Sequence, residues 1–239
     1  MFYLNSRISF YNASLDSLTN EKLLITTLNA YSFNLAQTNL AFSEALKKSD
    51  VLLPDGISIV LAKRFLDGTK LKKIAGADLF HYEMNRLNNE QGSCFYLGST
   101  AQTLQLIQAK AAIEFPHVKM ETYSPPFKDI FNDEDNASML DAIRQFNPDV
   151  LFIGMTAPKQ EVWAYEQLEQ IQAKHICCIG AVFDFYAGTI HRAPQWIIRM
   201  GLEWLYRLGS EPKRLWRRYL IGNAQFIFLI LKEKYRSLA

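Results

Sequence analysis

Asp55 stands where a general base would be expected. It follows the apolar run 51–54 (Val-Leu-Leu-Pro), so its carboxylate sits at the end of a buried strand, where a raised pKa suits proton abstraction, and Gly56 leaves room beside it for a ligand. A second constellation is residues 148–161, Pro-Asp-Val-Leu-Phe-Ile-Gly-Met-Thr-Ala-Pro-Lys-Gln-Glu. Residues 150–153 read as a strand buried on both faces that stops at Gly154. Pro158 then opens a helix, and Lys159, Gln160 and Glu161 crowd its first turn, where free backbone N–H groups favour an anion. The bland alternative is an ordinary strand-to-helix turn carrying surface polar groups. The third group is basic: Arg214, Arg217 and Arg218 fall at i, i+3 and i+4 on one helix face. Guanidinium is a permanently charged, bidentate ligand for phosphate, and the competing use of such a face is anionic lipid.

Positioning these groups requires strands that end at one edge. Apolar runs predict strands at 23–28, 51–54, 94–97, 118–123, 150–153 and 175–179, alternating with helices at 33–47, 57–66, 76–89, 101–115, 137–146 and 159–171, with Thr100 as a cap. This rhythm predicts an α/β, Rossmann-like, mainly parallel sheet flanked by helices, with its ligand crevice at the carboxyl ends of the strands. Residues 27–29 and Asp55 would face the same edge. Phe2 with Leu4 and Ile8 with Phe10 alternate, which reads as small strands before the main fold, and residues 68–73 read as a solvated basic turn. Asp133-Glu134-Asp135 superficially resembles a metal-holding carboxylate group, but it lies just before a predicted helix, where acidic residues complement the N-terminus. Asp184, within the apolar stretch 182–186, must be paired if buried; holding a loop or Arg192 competes there with substrate contact. From residue 193 the character changes to Trp, Arg and Leu at helical spacing, with helices expected at 194–208 and 212–234 around Gly209-Ser210. The expected division is a core, 1–192, and a helical basic appendage, 193–239.

The chain has 239 residues, 49% apolar and 21% charged, enough to bury a sizeable core. Its formal charge of +2 hides an asymmetry: residues 1–190 carry 16 Lys and Arg against 21 Asp and Glu, net −5, whereas residues 191–239 carry 10 against 3, net +7. A basic tail on an acidic body can meet an anionic membrane or substrate; the acidic body and the lack of a recognised motif argue against nucleic acid. The apolar run 226–231 is too short to cross a bilayer but suits a helix lying on one. Cys94, Cys177 and Cys178 fall in predicted strands, with the adjacent pair pointing to opposite faces, and read as buried thiols in a reducing cytoplasm. Residues 1–10 lack the basic start and apolar core of a signal peptide.

Several blocks carry a resemblance: Thr27-Leu28-Asn29, Pro54-Asp55-Gly56, Gly76-Ala77-Asp78-Leu79, residues 154–161, residues 180–188 (Gly-Ala-Val-Phe-Asp-Phe-Tyr-Ala-Gly), Arg192-Ala193-Pro194 and residues 201–214. In type and order, from about residue 20 onward, they resemble the WecG/TagA/CpsF glycosyltransferases, glycosyltransferase family 26. The resemblance implies an inverting transfer from a UDP-sugar to a polyprenyl diphosphate-linked saccharide of N-acetylglucosamine type, in the building of cell-surface polymers. It makes Asp55 the base, lets Thr27 and Asn29 position donor or acceptor, makes Gln160 an active-site glutamine whose loop contacts the nucleotide, and gives Arg207, Arg214 and Arg217 a part in activity. It implies no cofactor and no metal, so the arginines would balance the leaving diphosphate. An N-acetylmannosamine donor is favoured over its uronic acid or the glucose of some exopolysaccharide pathways. The expected location is cytoplasmic and peripheral, on the inner face of the membrane, with a homo-oligomer left open. Two departures, Ser58 and Thr156 at positions where the family often has Gly, add bulk beside the pocket and bear on the donor sugar. The rivals are a dinucleotide-dependent oxidoreductase, which lacks its Gly-x-Gly-x-x-Gly fingerprint after the first strand, and a non-catalytic binding module using the basic tail.

Overall fold

In the computed structural model, which describes residues 2–5 and 8–238, the six apolar runs pair into one sheet. Strands β1 (Leu23–Leu28), β2 (Val51–Pro54), β3 (Ser93–Gly98), β4 (Lys119–Tyr123), β5 (Val150–Gly154) and β6 (His175–Cys178) lie in the order β2-β1-β6-β5-β3-β4. All pairings are parallel, so every strand ends at the same edge. The central strands carry apolar residues on both faces because helices cover both. Ile25, Phe152 and Cys177 point into one layer with Phe80 and Tyr96; Leu24, Leu151 and Cys178 point into the other with Trp163 and Phe95. The adjacent cysteines thus separate across the sheet, as their alternation predicts.

The crossovers are helical: α1 (Ala30–Ala36) and α2 (Leu40–Lys48) before β2, α3 (Ile57–Asp67) and α4 (Gly76–Glu90) before β3, α5 (Ala101–Glu114) before β4, α6 (Asp133–Phe146) before β5, and α7 (Lys159–Glu166) before β6. The single helix expected over 33–47 is therefore two. Asn29 and Asn39 each accept a backbone N–H three residues on, from Ser32 (3.0 Å) and Phe42 (2.9 Å), so each starts its own helix. Helix α6 begins at Asp133, earlier than expected, with Asn132 and Asp135 forming a reciprocal cap. The acidic triplet is the first turn of that helix, and Asp135 also pairs with Lys128 at 2.8 Å. Helix α7 stops at Glu166, short of 171. No strand forms among the described residues before Leu23. Phe2 and Leu4 are buried there, and Tyr11 N donates to Leu52 O (3.0 Å) without extending the sheet.

After β6 come α8 (Val182–Ala187), α9 (Gln195–Arg199), α10 (Glu203–Ser210), α11 (Pro212–Trp216), a π-helical turn at Arg217–Ile221, and α12 (Gly222–Leu238). The helix expected over 194–208 is broken at Gly201, whose φ of 75° is left-handed and whose hydrogens face Ile57, leaving no room for a Cβ. The next break falls at Glu211 rather than at Gly209-Ser210, which lie within α10. Helix α12 packs back onto the body: Phe226 and Ile230 share a buried cluster with Phe2, Leu4, Phe33 and Leu66.

Candidate active site

The parallel register decides where Asp55 goes. Thr27 pairs with Leu53 and Leu28 with Pro54, and Asp55 N donates to Leu28 O (2.9 Å), which sets Asp55 next to Asn29 at the carboxyl edge. Gly56 turns the chain there with a φ of 107°, a conformation that glycine adopts freely. Asp55 opens into a cavity of about 680 Å3 that also takes in Thr27, Asn29, Gly56, Gly154, Gln160 and Glu161. Burial pushes the Asp55 carboxyl up to about 6; Glu203 adds to the rise, while Lys73 and a hydrogen bond from Asn29 oppose it. A carboxylate with a pKa in this range accepts a proton at neutral pH and is still basic enough to take it from a hydroxyl polarised by its surroundings.

Gln160 and Glu161 form the cavity's inner wall. Gln160 is 3% and Glu161 1% exposed. Gln160 Nε2 donates to Glu161 Oε1 (2.8 Å), and Gln160 Oε1 accepts from Met155 N (3.2 Å). Burial raises the Glu161 carboxyl to about 7, and its Oε2 is buried with no hydrogen-bond partner. The rest of that first turn points elsewhere. Lys159 Nζ donates to Lys128 O and lies 3.6 Å from the Phe131 ring centroid, so neither Lys159 nor Pro158 lines the cavity. Gly154 is there for packing: a Cβ would come within 2.5 Å of the Phe183 ring. Thr156, where the resemblance expects Gly, has a φ of 67° and lines the cavity, as does Ser58.

The tail supplies the cations. Arg192, Arg207, Arg214 and Arg218 line the cavity, and Lys73 joins them from the loop before α4; that loop is held at the site by Ile74 N donating to Pro54 O (3.1 Å). Lys73 therefore belongs to the site and not to a solvated turn. Arg218 packs over the Tyr31 ring at 4.0 Å and Arg207 over Phe185 at 5.1 Å, and the Nε of each is buried without a hydrogen-bond partner. Orphaned donors on guanidinium groups facing a cavity suit an anionic ligand. Arg214 is committed in part to Glu211, at 2.6 Å. Arg217, named by the resemblance, does not line the cavity; its guanidinium lies 5.2 Å from the Trp216 ring centroid. Arg192 stands 3.5 Å from Glu203 rather than against Asp184, while Asp184 lines the cavity near Arg214 and Arg207 with its carboxyl raised mainly by burial. Of the three basic positions at i, i+3 and i+4, the first and last, Arg214 and Arg218, line the cavity and Arg217 does not. Among the described residues no group of three or more His, Cys, Asp or Glu side chains could hold a metal ion.

The profile of the "Glycosyl transferase WecG/TagA/CpsF family" matches residues 6–239. The chain belongs to that family. This glycosyltransferase is similar to proteins named N-acetylglucosaminyldiphosphoundecaprenol N-acetyl-beta-D-mannosaminyltransferase. It is 27% identical to that of Bacillus subtilis (strain 168), over 97% of this chain and 89% of the relative. It is 27% identical to that of Bacillus spizizenii (strain ATCC 23059 / NRRL B-14472 / W23), over 91% and 82%, and 26% identical to that of Staphylococcus aureus (strain MW2), over 90% and 82%. Membership removes the case for the oxidoreductase and for a non-catalytic module. In the glycosyltransferase, one cavity holds both the buried Asp55 carboxyl and the cations Lys73, Arg207, Arg214 and Arg218.

Proposed function

We propose that the enzyme transfers N-acetylmannosamine from its UDP conjugate to a polyprenyl diphosphate-linked N-acetylglucosamine, with inversion and without a metal. Asp55 takes the proton of the acceptor hydroxyl as that oxygen bonds to the sugar's anomeric carbon, the carbon's bond to the diphosphate oxygen breaks, and UDP departs. Lys73, Arg207 and Arg214 balance the charge of the departing diphosphate, and Arg218 meets the acceptor's own diphosphate. Asn29 orients the base, and Gln160, fixed at both ends by Met155 N and Glu161, lines the sugar subsite. The observation that carries this reading is the sharing of one cavity by Asp55, with its carboxyl raised to about 6, and by cations with unpartnered donors. The names of the relatives support the choice of donor and acceptor over a glucose or uronic acid donor.

The same reading places the enzyme at the cytoplasmic face of a membrane. No helix among the described residues is long and apolar enough to cross one. Trp196, Met200, Trp216, Leu220 and Phe228 of the tail are all exposed, by 42% to 64%, amid its arginines and lysines, a combination suited to an anionic bilayer surface. Incubating the enzyme with UDP-N-acetylmannosamine, UDP-glucose and UDP-N-acetylmannosaminuronic acid, each with prenyl diphosphate-linked N-acetylglucosamine in excess chelator, tests this by release of UDP. Release with the first donor is expected to dominate. Release that requires added magnesium or manganese, or none with any donor, would overturn it.

A further inference from the structure

The polar chamber does not close at its tail side; it continues as an apolar groove between α3 and α12. The two helices run side by side in the same direction. Ile57 and Asn223, near their starts, both line the cavity, and near their ends Lys234 Nζ donates to Leu66 O (2.8 Å). Phe226 and Ile230 close the seam by packing with Ile59, Ala62 and Leu66. Beside that seam stand Leu61 and Phe65 of α3 and Ile227 and Leu231 of α12, each pair four residues apart and so on one face. All four line the cavity, yet they are 49% to 57% exposed. From Ile57 to Phe65 the groove runs roughly 12 Å, at 1.5 Å per helical residue.

Two facing rows of large apolar side chains, uncovered by any described part of the chain, call for an apolar occupant. The groove's charge pattern names its class. Its head is the chamber, where Arg218 carries its unpartnered Nε one turn before α12 begins; its walls carry no charge until Lys234, whose Nζ lies 5.6 Å from the Phe65 ring centroid. A molecule with a diphosphate followed directly by a branched hydrocarbon matches that order. We propose that the groove between α3 and α12 binds the first isoprene units of the acceptor's lipid, as a subsite that reads the prenyl chain itself. The occupant is a single chain drawn out of the bilayer, because the groove opens into the site where its diphosphate must sit. The subsite would hold the acceptor's reacting end in front of Asp55 while the remainder of the lipid continues past Phe65 and Leu231 to the membrane.

The proposal rests on the acceptor reading above, but its test requires neither donor nor turnover. Farnesyl diphosphate, below its micellar concentration, and methyl diphosphate are titrated calorimetrically into the full chain and into the double variant Leu61→Ser/Leu231→Ser. Both leucines are half-exposed, so the changes leave the buried seam intact. Farnesyl diphosphate is expected to bind the parent at least about 100-fold tighter than methyl diphosphate, and the double variant to lose about tenfold or more of that advantage. Binding of methyl diphosphate is expected to stay as in the parent. Equal affinity of the parent for the two ligands would overturn the groove. So would a double variant that binds farnesyl diphosphate as the parent does but binds anionic vesicles less well, since this face would then meet the bilayer and not a chain. Prenyl discrimination without any UDP release would fault the acceptor reading and leave the groove standing; UDP release without prenyl discrimination would do the reverse.

Discussion

Glu161 and Asp55 are both held above their ordinary carboxyl range by burial, yet they differ in what surrounds them. Asp55 has Lys73 and Asn29 beside it; Glu161 has the Gln160 amide on one oxygen and nothing on the other. A carboxyl whose folded value rises from 4.5 to about 7 binds its proton more tightly folded than unfolded, so its stability contribution is full at low pH and is lost as pH rises through that window. Glu161→Gln keeps the acceptor for Gln160 and removes the titration. Compared by urea denaturation, the variant should gain on the parent by about 2 to 3 kcal/mol between pH 5 and pH 8; a difference that stays constant with pH would mean that Glu161 is ionised throughout. At this scale Asp55 was legible in the sequence because a strand end can be read from four apolar residues. Lys73 and Glu203 were not, since only the folded chain brings them beside Asp55.

At the scale of elements, alternation of apolar runs was enough to predict the strands and their shared edge, because a strand buried on both faces leaves a continuous signature. The helix breaks were harder to read: Asn39 and Gly201 end one helix and begin another through local hydrogen bonding and close packing rather than through hydrophobic period. Thr156 illustrates the cost of a departure. A β-branched residue at a φ of 67° occupies a region that costs L-residues roughly 1 to 2 kcal/mol, and glycine would avoid this at an entropic cost of roughly 0.5 to 1 kcal/mol. Thr156→Gly is therefore expected to raise stability by about 0.5 to 1 kcal/mol in thermal or urea unfolding, and a loss of stability would show that the threonine side chain contributes more than its backbone costs. The unequal placement of Arg217 and Arg218 makes a second prediction. On a short-chain, water-soluble acceptor, Arg218→Ala should lower kcat/KM by roughly 10- to 100-fold, as expected for loss of a charge-assisted contact to phosphate, whereas Arg217→Ala should matter only with vesicles present and fade at high salt. The reverse ranking would mean that Arg218 does not meet the substrate.

Across the whole molecule, the basic tail is bound to the body through its last helix and completes the site through its earlier ones. The Phe226 ring meets Phe33 edge-on, with centroids 5.3 Å apart, and Glu233 accepts the backbone N–H of Leu4 at 3.2 Å. Charge counting marked the tail by its basic composition but could not foresee this seam, which depends on residues at opposite ends of the chain. Phe226→Ala should cost about 3 to 5 kcal/mol of global stability, the range for deleting a buried aromatic ring; a loss below about 1 kcal/mol would mark α12 as a loosely held appendage. With the tail held in place, its arginines and Asp55 line one cavity, and the proposed transfer depends on that sharing. Its most direct test is kcat/KM for UDP release as a function of pH, in the parent and in Asp55→Asn. A base works in its ionised form, so the parent's rate should be full well above pH 6 and fall as pH drops through about 6, while Asp55→Asn should be slower by roughly 100- to 10,000-fold, lack that limb and still bind UDP. A variant that turns over at nearly the parental rate would contradict the assignment of Asp55 as the base.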